Sequence, residues 1–428
     1  MPHEQTGSAC EPVQQVLARV FRAEHGRIIA TLIRLSGSFE LAQEAMQDAF
    51  VSALSHWTEE GAPESPAAWI TTTAHRKLID LVRRERTRRN ASDQLSYQLE
   101  IENGAIDGAD MNSSTAEPTD RLRLIFTCCH PALNREAQVA LTLRTVGGLS
   151  TQEIARAFLT SESTLAQRLV RAQRKIHDAR IPYEIPGSDA LAERLSSVRA
   201  VIYLIFNEGY LATAGEQLSR AELCAEAIRL ARMLDELRPS DPESIGLLAL
   251  LLLHDSRREA RVGVDGVLIT LEEQDRSRWD RDQINEGLEL IERALMLRAP
   301  GPYQLQAAIV SLHAQALTAR DTDWEQIAAL YGELYQVNRT PIVALNRAVA
   351  IGMSHGPQVG LRLLDDLAKA GALETYHCFH AARAELLKRI GNTAMAVDAY
   401  RTALALTTNN AERVYIERQI DGLVSRLN

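Results

Sequence analysis

GLSTQEIARAFLTSESTLAQRLVRAQRKI, residues 148–176, is the stretch on which the fold turns. Ser150 followed by Glu153 is a capping-box pair that starts one helix, and Ser161 can cap the next. Two short helices therefore meet at a tight turn around Leu159 to Ser161, made without the glycine that many such turns place where Leu159 stands. On the second helix Leu165, Leu169, Ala172 and Ile176 form the stripe expected to be buried. Ser163, Thr164, Gln167, Arg168, Arg171 and Lys175 then face outward. Hydroxyl, amide and guanidinium groups on one helix face can read base edges in the major groove, while a basic end holds phosphates. A basic amphipathic helix in an ordinary bundle is the alternative reading.

Working toward the N-terminus, residues 90–118, NASDQLSYQLEIENGAIDGADMNSSTAEP, are polar, acidic and rich in Asn, Ser and Gly, as expected of a flexible tether. Before it, residues 76–89, RKLIDLVRRERTRR, hold seven basic side chains against Asp80 and Glu85, whereas residues 90–120 hold seven acidic ones and no basic one. Ser65-Pro66 reads as an N-cap with proline at the first helical position. It opens a helix expected to bury Ile70, Ala74, Leu78 and Val82 and to expose Arg76, Lys77, Asp80, Arg83 and Arg84. An earlier helix, Phe39 to Trp57, is expected to bury Met46, Phe50, Ala53 and Trp57, which leaves Gln43, Glu44, Gln47 and Asp48 as an acidic and amide face. An acidic docking face beside a strongly basic helix fits simultaneous binding of a protein and a nucleic-acid backbone, a solvated charge run being the plainer alternative.

Taken together these segments resemble the extracytoplasmic-function sigma factors. AMQDAF at 45–50 is similar to the family's helix for binding core RNA polymerase, AWITTTAHRKLIDLVRRER at 68–86 to its −10-element helix, and residues 148–176 to its −35-reading helix-turn-helix. The resemblance covers about 180 residues. It implies that Glu44, Gln47 and Asp48 meet the polymerase, on the β′ clamp helices with β as a further partner. It implies likewise that Arg76, Lys77, Asp80, Arg83 and Arg84 serve the −10 element, and that Ser163, Thr164, Gln167, Arg168, Arg171 and Lys175 face the −35 element. The family often has Asn where Arg76 or Lys77 stands.

Beyond a second break, IPYEIPG at 181–187, apolar residues recur at three- and four-residue spacing and no alternating strand pattern occurs. Residues 384–408, AELLKRIGNTAMAVDAYRTALALTT, resemble the second half of a tetratricopeptide repeat, with Gly391, Ala396, Tyr400 and Ala403 at the repeat's offsets; residues 345–367 are a weaker echo. The expected architecture is all-α: a region 2 domain at 1–89, an acidic linker at 90–117, a region 4 helix-turn-helix domain at 118–181, and a partly repeat-like helical array at 188–428. With its motifs, the chain resembles the subgroup of these sigma factors that carries a tetratricopeptide-like C-terminal domain, and such arrays bind peptides or protein surfaces along a concave face.

Charge follows the same division. Residues 1–181 hold 21 basic and 22 acidic side chains, so the remainder carries −8 of the net −9. This imbalance motivates an expected intramolecular contact between the array and the sigma domains. The most apolar run, Ile245 to Leu253, is too short to span a bilayer, and the first residues, MPHEQTGSACEP, lack the order of a signal peptide, so the expected site of action is the cytoplasm with no membrane partner.

Five cysteines, without a CxxC pair, read as reduced thiols. Cys128-Cys129-His130 reads as buried packing, and His377 with His380 as structural, not metal-binding. DRSRWDR at 275–281 is either a cap over a buried Trp279 or an interface anchor. No P-loop, GxSxG, HExxH or dinucleotide fingerprint occurs, so neither an enzymatic activity nor a cofactor is expected. Two rival readings stand beside the sigma factor: a repeat-regulated helix-turn-helix regulator that does not enter the polymerase, and an interaction scaffold built on the array.

Overall fold

A computed structural model of the chain describes residues 13–92, 116–158, 160–211, 221–263, 266–369, 371 and 373–425. Among them every regular element is helical apart from one isolated bridge, Val262 to Leu268, as the all-α reading expects. The chain divides into two compact units, Met1–Val201 and Ile202–Asn428.

The first unit runs α1 (Val13–Ser36), α2 (Phe39–Glu60), α3 (Pro66–Ser92), α4 (Ala116–Cys128), α5 (Arg135–Thr145), α6 (Thr151–Ala157), α7 (Glu162–Asp178) and the first half of α8 (Ser188–Tyr210). Helices α3 and α4 reach into the segment expected as linker from both sides. The rest of that segment, residues 93–115, lies outside the described residues. Pro66 does occupy the first position of α3, and the Trp69 N–H donates to the Ser65 carbonyl oxygen at 3.2 Å.

Both caps expected in the helix-turn-helix are present. The Ser150 N–H donates to Glu153 Oε2 at 2.7 Å while the Glu153 N–H donates to Ser150 Oγ at 3.1 Å, and the Thr164 N–H donates to Ser161 Oγ at 3.1 Å. Of the turn between them, Leu159 lies outside the described residues.

Within this unit α1 is held closely against α4 and α5. A Cβ on Gly26 would come within 2.6 Å of the Val146 carbonyl oxygen, so only glycine permits the approach. The neighbouring His25 ring is buried with Nδ1 3.1 Å from the Thr145 carbonyl oxygen. Asp120, fully buried on α4, accepts from Arg34 at 2.7 Å and Arg123 at 3.1 Å. The break at 181–187 is non-helical as expected, yet it is fastened: Tyr183 Oη donates to the carbonyl oxygens of Ala30 and Asp120 at 2.9 and 3.1 Å. Burial and the Asp120 carboxylate push its phenol upward in pKa.

The second unit continues from α8 through α9 (Ala221–Leu237), α10 (Pro242–Asp255), α11 (Arg281–Met296), α12 (Pro302–Gln315), α13 (Trp324–Val337), α14 (Pro341–His355), α15 (Pro357–Lys369), α16 (His377–Arg389), α17 (Thr393–Leu406) and α18 (Asn410–Val424). Helix α10 carries the apolar run Ile245–Leu253 and buries all of it, which accounts for its hydropathy without a bilayer. No described helix is long and apolar enough to cross a membrane.

Most helices of this unit pack against their neighbour in sequence, and α10 packs also against α12. In the α16/α17 pair Gly391 takes φ +78° in the turn while Ala396, Tyr400 and Ala403 are buried, so the repeat-like reading of 384–408 holds. In the α14/α15 pair a Cβ on Gly360 would lie 2.8 Å from the Gly352 Cα. Two glycines are therefore what lets those helices touch.

Candidate nucleic-acid interface

Helix α7 turns its faces as its sequence predicts. Leu165, Leu169, Ala172 and Ile176 are buried, while Ser163, Thr164, Gln167, Arg171 and Lys175 are exposed and Arg168 is half-buried. The Ser161 cap engages two of the outward hydroxyls, with Ser163 Oγ at 3.0 Å and Thr164 Oγ1 at 2.7 Å. Gln167, Arg171 and Lys175, each one turn from the next, are long polar side chains of the exposed strip. Two residues on this surface were missed from sequence, the exposed Arg174 and Val170, whose side chain is 54% exposed. Their signal was position: both fall between the polar residues on the arc opposite the buried stripe.

On α3 Arg76, Asp80, Arg83 and Arg84 are exposed and Lys77 is half-buried, giving one basic face. Among the described residues Arg76, Lys77 and Arg84 form no ion pair, so their charge is not already neutralised within the protein. The buried stripe differs from expectation at one place. Leu81, not Val82, completes Ile70, Ala74 and Leu78, and Val82 is only half-buried.

On α2 Glu44 and Gln47 are exposed and Asp48 is half-buried, its carbonyl oxygen accepting from Ser52 Oγ at 2.7 Å. Phe50, expected in the core, is instead half-buried, its ring 5.1 Å from that of Phe21 at the wall of a shallow groove that Gln47 and Val51 also line. Val51 and Leu54 are exposed, at 61% and 44%. The acidic and amide face is thus bordered by apolar side chains, a composition suited to a protein partner. Gln43 Oε1 accepts from Gln173 Nε2 at 3.2 Å, so this helix and α7 touch within the unit.

The groups weighed as metal ligands are spoken for. Cys128 and Cys129 are buried with their Sγ atoms 3.0 and 3.5 Å from Thr145 and Thr142 Oγ1, and burial pushes the Cys129 thiol up to about 11. The described cysteines are all free, and Cys10 lies outside the described residues. His377 faces Cys378 Sγ at 3.3 Å and Glu412 at 3.4 Å, which together raise it to about 10, and His380 Nε2 lies 2.9 Å from the Glu374 carbonyl oxygen. No group of three metal-binding side chains occurs among the described residues. The 275–281 motif is a cap: Trp279 is buried beneath the Arg276 guanidinium, 4.7 Å from the ring, and Asp280 caps α11.

Comparison with known proteins matches residues 20–88 to Sigma-70 region 2, residues 123–176 to Sigma-70, region 4, and residues 194–295 to a family of unknown function, DUF6596. Uncharacterized protein R00370 of Rhizobium meliloti (strain 1021) is 43% identical over 93% of both chains. The ECF RNA polymerase sigma factor SigK of Mycobacterium tuberculosis (strain ATCC 25618 / H37Rv) is 25% identical over 39% of this chain and 86% of its own. Among solved structures the crystal structure of the yeast Tom70 matches at TM-score 0.38 and 11% identity, covering 97% of this chain and 86% of that one. With the two sigma regions in order, caps and faces formed, and a repeat-like helical unit following, the chain belongs to the extracytoplasmic-function sigma factors of the sigma-70 family and carries a C-terminal helical extension that matches DUF6596.

Proposed function

We propose that this chain joins core RNA polymerase in the cytoplasm and directs it to specific promoters. In this reading Glu44, Gln47 and Asp48 on α2 dock on the β′ subunit, with β as a further contact. Arg76, Lys77, Asp80, Arg83 and Arg84 on α3 serve the −10 element, and α7 reads the −35 element. The observation that carries it is that one chain exposes an acidic, apolar-bordered helix face and two separate basic helix faces. Run-off transcription with core polymerase and the full chain should yield a promoter-specific transcript that core alone does not make. A helix-turn-helix regulator working outside the polymerase would instead bind the DNA and leave core inactive.

Phosphate contacts carry little sequence information and release counterions. Arg83→Ala with Arg84→Ala should therefore weaken promoter binding across sequences and flatten the dependence of affinity on salt by about 0.9 per lost contact. Binding measured over a salt series checks this, and an unchanged slope would remove the two arginines from the backbone contacts.

The array is proposed to modulate the sigma part, the support being the −8 charge of residues 182–428 against the basic faces of α3 and α7. Residues 188–201, the first turns of α8, pack against the sigma part. Arg194 donates to the Phe126 carbonyl oxygen, Arg135 donates to that of Ser197 at 3.4 Å, and Leu195 and Val198 are buried. A useful truncation ends at Leu211, with Ile202, Ile205 and Phe206 replaced by Gln because the cut would expose them. The shortened protein should bind promoter DNA more tightly than the full chain at low salt, with the gap closing as salt rises. Equal affinity and equal transcription at every salt concentration would make the array a passenger.

A further inference from the structure

Elements at −10 and −35 lie about 25 base pairs apart, about 85 Å of duplex at roughly 3.4 Å per base pair. The first unit, Met1–Val201, is compact, and a compact unit of about 200 residues is about 40 Å across. If α3 and α7 serve the two elements together, the reading on which this inference rests, the unit must open first.

What has to part is a clasp between residues 20–88, which match region 2, and residues 123–176, which match region 4. Gly26 of α1 lies against the Val146 backbone, and the His25 ring reaches the Thr145 carbonyl oxygen at 3.1 Å. Arg34 of α1 pairs at 2.7 Å with Asp120, buried on α4 three residues before the region 4 match. Gln173 of α7 donates to Gln43 of α2 at 3.2 Å.

The segment that joins α7 to α8 is drawn into the same contact. Ile181 is buried, and the Pro182 carbonyl oxygen accepts from Thr127 Oγ1 at 3.4 Å. The Tyr183 hydroxyl then spans the clasp, donating to the carbonyl oxygens of Ala30 on α1 and Asp120 on α4 at 2.9 and 3.1 Å. Tyr183 thus touches both sides while belonging to the connector, five residues before α8 begins. Both of its acceptors are carbonyl oxygens of helical residues, which take a second hydrogen bond within their own helix. Loss of the hydroxyl therefore orphans no buried group and removes only the tie.

We propose that Tyr183 is a latch that holds the region 2 helices closed on region 4 in the free chain, and that its release lets α3 and α7 engage both promoter elements at once. Two linked sites add affinity only where geometry allows both to be filled, so the gain from a second element reports the opening.

The test uses the full chain with DNA carrying the −35 element, a premelted −10 element, or both at promoter spacing. In the parent the second element should improve affinity by less than about threefold, whereas in Tyr183→Phe, which keeps the ring, it should improve affinity by at least about tenfold. Gly26→Ala should open the clasp by a separate route. Its methyl favours the helix, and the nearest atoms it meets are all backbone of Val146. Hydrogen exchange along residues 26–34 and 143–146 should quicken in both variants. A parent that already gains tenfold overturns the latch, as does a Tyr183→Phe that gains no more than the parent or fails to fold. A gain confined to Gly26→Ala also overturns it, because closure would then rest on the helices and not on the tyrosine. If no variant binds either element singly, the promoter reading fails, and exchange alone decides the latch: quickened in Tyr183→Phe it stands, unchanged it falls.

Discussion

Transcription from a cognate promoter should fall by at least about a hundredfold when Asp48 is replaced by lysine together with Gln47→Ala, a loss of some 3 kcal/mol in polymerase affinity. Asp48 is half-buried on a helix whose outward surface also carries Glu44 and Gln47, with Val51 and Leu54 exposed beside them. In such a face the apolar neighbours exclude water from the charged group once a partner docks, so reversing the charge leaves two like charges in a desolvated contact. The damage should be confined to polymerase binding. The α2 core of Ala45, Met46, Ala49, Ala53 and Trp57 is untouched, so helicity and melting temperature should match the parent. Core binding followed by fluorescence anisotropy decides the matter. An affinity within about threefold of the parent would mean that α2 meets the polymerase elsewhere or not at all.

Where the sequence could be read and where it could not has a geometric cause. Along α7 the predicted stripe advances by four, three and four residues, eleven in all, and eleven residues at 100° each return within 20° of the starting face, so all four members are buried. The stripe expected on α3 advances in steps of four only. Each step drifts 40°, so Val82 lies off the buried face, and Leu81, eleven residues beyond Ile70, takes the position. Phe50 failed for another reason. Its exposure is set by Phe21 on α1 and by the groove between them, a long-range arrangement that no local period encodes. Local signals, by contrast, transferred well. The capping pair Ser150 and Glu153, the Ser161 cap and the small residues of 391–403 each describe one turn or one hairpin, and each formed.

Gln167→Ala and Arg171→Ala should each change the tolerance of the protein to single substitutions in the −35 element, by about 1–3 kcal/mol at the position whose contact is lost. The geometry narrows the choice to these two. Ser163 and Thr164 lie nearer the helix N-terminus, but their hydroxyls are drawn to Ser161 Oγ, and Arg168 is half-buried. Lys175, two turns beyond Arg168 on an exposed arc, is a point charge better suited to phosphate than to a base edge. Lys175→Ala should therefore weaken all −35 variants alike and lower the salt slope, whereas the two readers should weaken some variants and spare others. Val170, exposed beside Gln167 on the side away from Arg171, adds an apolar surface that can meet a thymine methyl, so Val170→Ala should cost affinity where the element carries thymine. Binding to a complete set of single-base −35 variants separates the three kinds of residue. If Gln167→Ala and Arg171→Ala both keep the parent's order of preference at every position, α7 holds the DNA without reading it, and sequence selection must come from α3 or from the deformability of the duplex.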